Sequence, residues 1–383
     1  MDLTEFNDIA PFNDEEASAA LDRLSNHPNV PWISRYLFPD KPETFLRDIL
    51  RNIHSVEEFQ SLVMSQAIEW VIANTIHNFS YDGLAKLQSL KGRQLFVSNH
   101  RDIILDPALM QIILWRNNLP FTQIAVGDNL LRHKSVELLI RSNRMIKVIR
   151  GISARELYLS SQLLSRYIRE TITSGESSVW IAQRQGRTKD GLDITEQGLL
   201  KMFDMSGKGD FVQNFMELQL VPLSISYEYE PCDILKAREV LISRTQKYVK
   251  GENEDLESII AGIRQPKGDV HLNIGDPLTE EEIMEASHCD KNDRYQAIRH
   301  AVDRRVIRGY KLWKTNYMAH DILHPGMRYA AEYTAEDLAR FQAYLEGQLN
   351  RVEPTLDKAE LRDILLHIYG NPVQAREDLL KAE

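Results

Sequence analysis

A chain of 383 residues, 43% hydrophobic and 27% charged, is long for one core, so one large globular domain with additions, or two domains, is expected. Its net charge of −10 argues against a general nucleic-acid binder, and its two cysteines, Cys232 and Cys289, give neither a disulfide framework nor a thiol metal cluster. The first residues lack the basic and apolar regions of a signal peptide, and no apolar run approaches the roughly 18 residues of a membrane span. The expectation is a cytoplasmic protein, soluble or peripheral on the inner face of a membrane.

Residues 1 to about 85 read as helical. Ser55-Val56-Glu57-Glu58 has the pattern of a capping box. It opens a segment to about Phe79 in which Phe59, Leu62, Val63, Ile68, Val71 and Ile76 recur near helical spacing, as on a helix packed against the main domain. From about residue 90 short apolar runs alternate with amphipathic ones. Strands are expected at Leu95–Ser98, Gln123–Val126, Met145–Ile149, Ser178–Ala182, Leu220–Ile225 and, more weakly, Val270–Ile274. Helices are expected at Pro107–Asn117, Lys134–Ser142, Ser153–Thr173 and Thr195–Phe203. This alternation predicts an α/β fold with a mostly parallel open sheet flanked by helices. Past Thr279, itself a helix-start signal, the chain reads as helical over Arg294–Met318, Ala335–Leu349, Lys358–Tyr369 and Val373–Ala382. Three regions follow: a helical N-terminal region over 1–85, an α/β domain over 86–278 and a helical C-terminal region over 279–383.

Four clusters fall near strand ends. The first is His100, with Asp102 and Asp106, on the turn after Leu95–Ser98. Asp106-Pro107 fits a helix start, with Asp as the N-cap. Histidine changes charge near neutral pH, so one oriented by a carboxylate suits a general base; a lone histidine is more often structural. The second is Arg144 to Gly151, where alternation would put Lys147 and Ile149 on one strand face and Arg150 at its end, placed for bidentate phosphate binding. The third, Gln183 to Gly191, brings Gln185, Gly186, Arg187 and Lys189 into a loop with anion-binding composition. The fourth, Val221-Pro222-Leu223, is apolar and by itself reads as core. Between Arg132 and Lys201 thirteen Lys and Arg face seven Asp and Glu, a local charge of +6 in an acidic chain. That contrast points to an anionic ligand or an anionic membrane face.

In this order the clusters resemble the glycerolipid acyltransferase family, which includes glycerol-3-phosphate and 1-acylglycerol-3-phosphate acyltransferases. Asn99-His100 with Asp106 resembles the family's first block and Arg150 its second. Ile181 to Lys189 resembles the third and Val221-Pro222 the fourth, over roughly residues 86 to 230. Two departures stand out. Five residues separate His100 from Asp106 where the family has four, and Gln185 stands where the family has Glu. The resemblance implies transfer of a fatty acyl group from acyl-CoA or acyl-carrier protein to a hydroxyl of a phosphate-bearing acceptor, in phospholipid synthesis. His100 would be the base, with Asp106, or else Asp102, orienting it. Arg150, Lys147, Gln185, Gly186, Arg187 and Lys189 would bind substrate. The resemblance implies no metal and no cofactor beyond the acyl co-substrate. Peripheral contact with an anionic membrane is the partner expected besides the substrates. The alternative is a non-catalytic lipid- or phosphate-binding relative of the same fold. A Rossmann-type nucleotide enzyme is disfavoured, because no Gly-x-Gly-x-x-Gly follows any expected strand.

Overall fold

The computed structural model describes residues 4–131, 133–150, 153–251 and 253–382. Seven strands form one sheet: β1 (Asn78–Asp82), β2 (Leu95–Ser98), β3 (Gln123–Gly127), β4 (Met145–Val148), β5 (Val179–Ala182), β6 (Leu220–Tyr227) and β7 (Asp269–Ile274). Their spatial order is β1-β7-β6-β2-β5-β3-β4. The five strands from β6 to β4 run parallel, β7 is antiparallel to β6, and β1 is parallel to β7. The mostly parallel α/β expectation holds.

Strands β2 and β6 are buried along their whole length because both faces are covered. Leu95, Val97, Val179 and Ile181 pack into one core with helices Ala154–Thr173 and Asp293–Gly309. Phe96, Trp180, Val221, Leu223 and Ile225 pack into a second core with helices Ser65–Thr75 and Leu105–Arg116. Further helices at both ends of the chain build satellite cores of their own. Among the described residues no helix is long and apolar enough to cross a membrane.

Several expectations are corrected. The helical pattern starting at Ser55 stops at Thr75, and the chain then forms β1, so the sheet begins ahead of residue 86. This edge strand offers only Phe79 and Tyr81 to the core, and it is made by pairing with β7 about 190 residues later. The Arg294–Met318 stretch is two helices, Asp293–Gly309 and Lys314–Leu323, and Tyr310 between them is buried. Conversely, Lys358–Tyr369 and Val373–Ala382 are one helix, Lys358–Ala382, with Pro372 inside it. Proline removes one intrahelical bond, but packing of Leu365, Tyr369 and Val373 in the interior carries the helix through. Helices Asp233–Thr245 and Glu254–Arg264, not foreseen, cover ground after β6.

Candidate active site

Parallel strands end on a common edge, and His100, Arg150 and the loop after β5 follow β2, β4 and β5 there, while Pro222 lies within β6. His100 follows β2 by two residues. Helix Leu105–Arg116 starts one residue earlier than Asp106, so Asp106 is not its N-cap. Asp102 does that work: its Oδ1 accepts from the backbone N–H groups of Ile104 (2.9 Å) and Leu105 (2.8 Å). This turn absorbs the five-residue interval and swings Asp106 back under His100. Asp106 Oδ2 accepts from His100 Nδ1 at 3.0 Å and from the N–H groups of Arg101 (2.6 Å) and Asp102 (2.9 Å). Its Oδ1 accepts from the Tyr227 hydroxyl at 2.9 Å. The bond from Nδ1 to a carboxylate selects the tautomer whose Nε2 lone pair is free. No described protein group bonds Nε2, and the ring retains 15% of its exposure while Asp106 has none. Asp102 makes no bond to His100. Burial, with the nearby Asp106 charge, pushes its carboxyl above the usual range, and its Oδ2 is buried without a partner.

One residue from this histidine lies a buried ionic cluster that the sequence did not disclose. Arg101 is fully buried; its guanidinium donates to Asp193 (2.6 Å), Glu230 (3.3 Å) and the Gly191 carbonyl (3.1 Å), over the Tyr310 ring. Lys236 Nζ donates to Glu230 (2.6 Å) and to the Arg101 carbonyl (2.7 Å). Asn99 joins the cluster to β6, donating to Asp193 and the Ile225 carbonyl while accepting from the Ile225 N–H. Two cations and two carboxylates balance, as burial of charge demands. Its members are separated by up to 135 residues, so no local pattern announces them.

The remaining cations line the open edge. Arg150, after β4, is half-buried and has no described hydrogen-bond partner; burial lowers its pKa, opposed by the charges of Asp128, Glu196 and Asp255. Gly127 makes room for it, since a Cβ there would come within 2.8 Å of Arg150 Cζ and 2.5 Å of Asn129 Oδ1. The neighbouring Gly151 lies outside the described residues. The loop after β5 is tied directly to the histidine, Thr188 N–H donating to the His100 carbonyl at 2.9 Å. Gly186 takes φ +75°, a left-handed conformation that favours glycine, and Gln185 is exposed at the tip. Arg187 Nη1 is buried without a partner, and Arg187 also faces the charges of Asp255 and Asp102. Lys189 is paired with Glu239. Lys147 sits on the edge strand β4, and Ile149 lies one residue past the strand end, packed against the core that holds Ile146. Pro222 and its neighbours are buried in β6, beside β2.

The sequence profile of the acyltransferase family matches residues 78–227, from the first residue of β1 to the last of β6. Residues 78–227 are an acyltransferase domain. Similar proteins include the glycerol-3-phosphate acyltransferase of Pseudomonas fluorescens (strain SBW25), 25% identical over 229 residues. That of Pseudomonas syringae pv. tomato (strain DC3000) is 26% identical over 231 residues. Each alignment covers 57% of this chain and 26% of the relative, so the chain matches about a quarter of their length. The acyltransferase domain carries His100, Asp106, Arg150 and Arg187. The loop and helix that follow β6 supply Glu230 and Lys236 to its buried cluster.

Proposed function

We propose that this protein transfers a fatty acyl group from a thioester, acyl-CoA or acyl-carrier protein, to a hydroxyl of a glycerol-phosphate-type acceptor, as in phospholipid synthesis. The observation that carries it is the His100–Asp106 pair with Nε2 free at a sheet edge that also holds Arg150 and Arg187. His100 Nε2 takes the acceptor's hydroxyl proton as that oxygen attacks the thioester carbon. Collapse of the tetrahedral intermediate breaks the C–S bond, and the imidazolium returns the proton to the departing thiolate. Asp106 holds the ring and stabilises its transient charge, the role of the carboxylate in a catalytic triad. Arg150 and Arg187 bind the acceptor's phosphate, since a guanidinium matches phosphate geometry and these two have unfilled donors. Lys189 contributes less, because Glu239 already neutralises it. Contact with the membrane is peripheral, at the anionic inner face, drawn by the basic segment around Arg150.

The test supplies long-chain acyl-CoA or acyl-carrier protein together with glycerol-3-phosphate or lysophosphatidic acid, and measures free thiol and ester product. Thiol release that depends on the acceptor is expected. Binding of lipid or phosphate with no turnover on any thioester would make this a binding protein instead.

A further inference from the structure

A groove of about 920 Å³ runs between helices Asp233–Thr245 and Glu254–Arg264 and is closed at one side by Arg351–Glu353. Its volume lies in the range of small-molecule sites, roughly 300–1,000 Å³. The burial of its lining is graded. At the inner end are Arg187, with its buried unpartnered Nη1, and Lys236, only 2% exposed. Both lie on segments tied to the chain beside the candidate base. Lys236 bonds the carbonyl of Arg101, and the residue after Arg187 bonds the carbonyl of His100. The walls carry Leu235, Ile242 and Val352, and the exposed rim carries Lys247 and Arg351.

The charges are unequal once internal pairs are removed. Of the four acids on the lining, Glu239 and Glu353 are paired with Lys189 and Arg238. Glu254, which accepts from the neutral Tyr248 hydroxyl and Gly251 N–H, and Glu257 keep their charges. Against them stand Arg187, Lys247 and Arg351, which form no ion pair among the described residues, although Arg187 faces the charges of Asp255 and Asp102; Lys236 is paired with Glu230. The groove therefore offers two unpaired cations at its rim, a mixed wall and an inner end next to the reacting centre.

We propose that this groove holds the phosphopantetheine arm of the acyl donor, its phosphate at Lys247 and Arg351 and its thioester end at the inner end, beside the turn that carries His100. The assignment rests on the acyl-transfer reading above, which requires a thioester. Coenzyme A and a carrier protein present their thioesters on the same arm: a phosphate at one end, methyl groups and amides along it, and sulfur at the other. That order matches the rim, the wall and the inner end.

Calorimetric titration of the full chain with 4′-phosphopantetheine, pantetheine, coenzyme A and holo-carrier protein tests it without turnover. Phosphopantetheine is expected to bind the wild type and to lose at least tenfold in affinity when Lys247→Glu and Arg351→Glu are combined. Pantetheine, which lacks the phosphate, is expected to bind both proteins equally, and Ile242→Trp, which fills the wall, to weaken both ligands. His100→Ala is expected to bind phosphopantetheine like the wild type. Failure of the wild type to bind the arm, or equal binding by the double variant, overturns the assignment. Tight binding of coenzyme A alone or of carrier protein alone supports it and names the source of the arm. A protein that binds the arm but releases no thiol would sink the proposed reaction and leave the groove standing. An active enzyme whose donor KM ignores the double variant would do the reverse.

Discussion

Arg101 follows β2 and Arg150 follows β4 on the same sheet edge, yet they are used in opposite ways. Arg101 is fully enclosed, and its charge is met by Asp193 and Glu230. Arg150 is half-buried and bonds nothing among the described residues. A cation buried without compensation is costly, so the enclosed one is committed to structure. A rim cation can keep its donors for a ligand, because water satisfies them until the ligand arrives. The same contrast separates Asp102, spent on a helix start, from Asp106, which holds the histidine.

The strongest way to break this comparison is through the two aspartates. Asp106→Asn is expected to slow transfer by about 10³–10⁴-fold, since the amide no longer selects the useful tautomer. Asp102→Asn retains an oxygen for the Ile104 and Leu105 N–H groups and is expected to stay within about threefold of the wild type, roughly 0.7 kcal/mol. Steady-state rates of thiol release for both variants decide it; similar losses would undo the distinction. Next, Arg101→Met leaves Asp193 and Glu230 buried with one cation fewer, and a loss of about 3–5 kcal/mol in denaturant unfolding is expected. A loss below about 1 kcal/mol would mean that the cluster is not structural. Arg150→Ala should behave in the opposite sense, with stability kept within about 0.5 kcal/mol. Its acceptor KM is expected to rise by about 10–100-fold, as for a lost charged hydrogen bond; an unchanged KM would remove Arg150 from the phosphate site.

The smallest effect tests a third kind of cation. Lys267 is fully buried but donates only to neutral oxygens, Thr75 Oγ1 and the Gln265 carbonyl, and burial lowers its pKa to about 8. Between about pH 8 and its ordinary 10.5 the unfolded chain binds more protons than the folded one, so this group makes stability rise with pH. Measured against Lys267→Met, the wild type should gain about 1–3 kcal/mol across that window, and a flat difference would contradict it.

Much of the sheet is legible in the sequence. Strands β2 to β6 are covered on both faces and so read as apolar runs ended by polar residues. β1 is not, because its polar ends face solvent and its partner β7 lies far along the chain. The site is legible as four ordered blocks. Which carboxylate holds His100 is not, since that depends on the Asp102 turn, a matter of backbone geometry. The Arg101 cluster and the groove are hidden for a different reason: each joins residues from distant segments, and neither leaves a periodic or local trace. Lys189 illustrates the converse, a cation that composition marks as a ligand-binder and that Glu239 occupies.

The central claim is that His100 Nε2 takes the proton from the acceptor hydroxyl. It is tested most directly by the rate of acceptor-dependent thiol release from a long-chain acyl thioester, wild type against His100→Ala. The rate is expected to fall by at least about 10³-fold while binding of the acceptor phosphate persists. Transfer at the wild-type rate by the alanine variant would contradict the account.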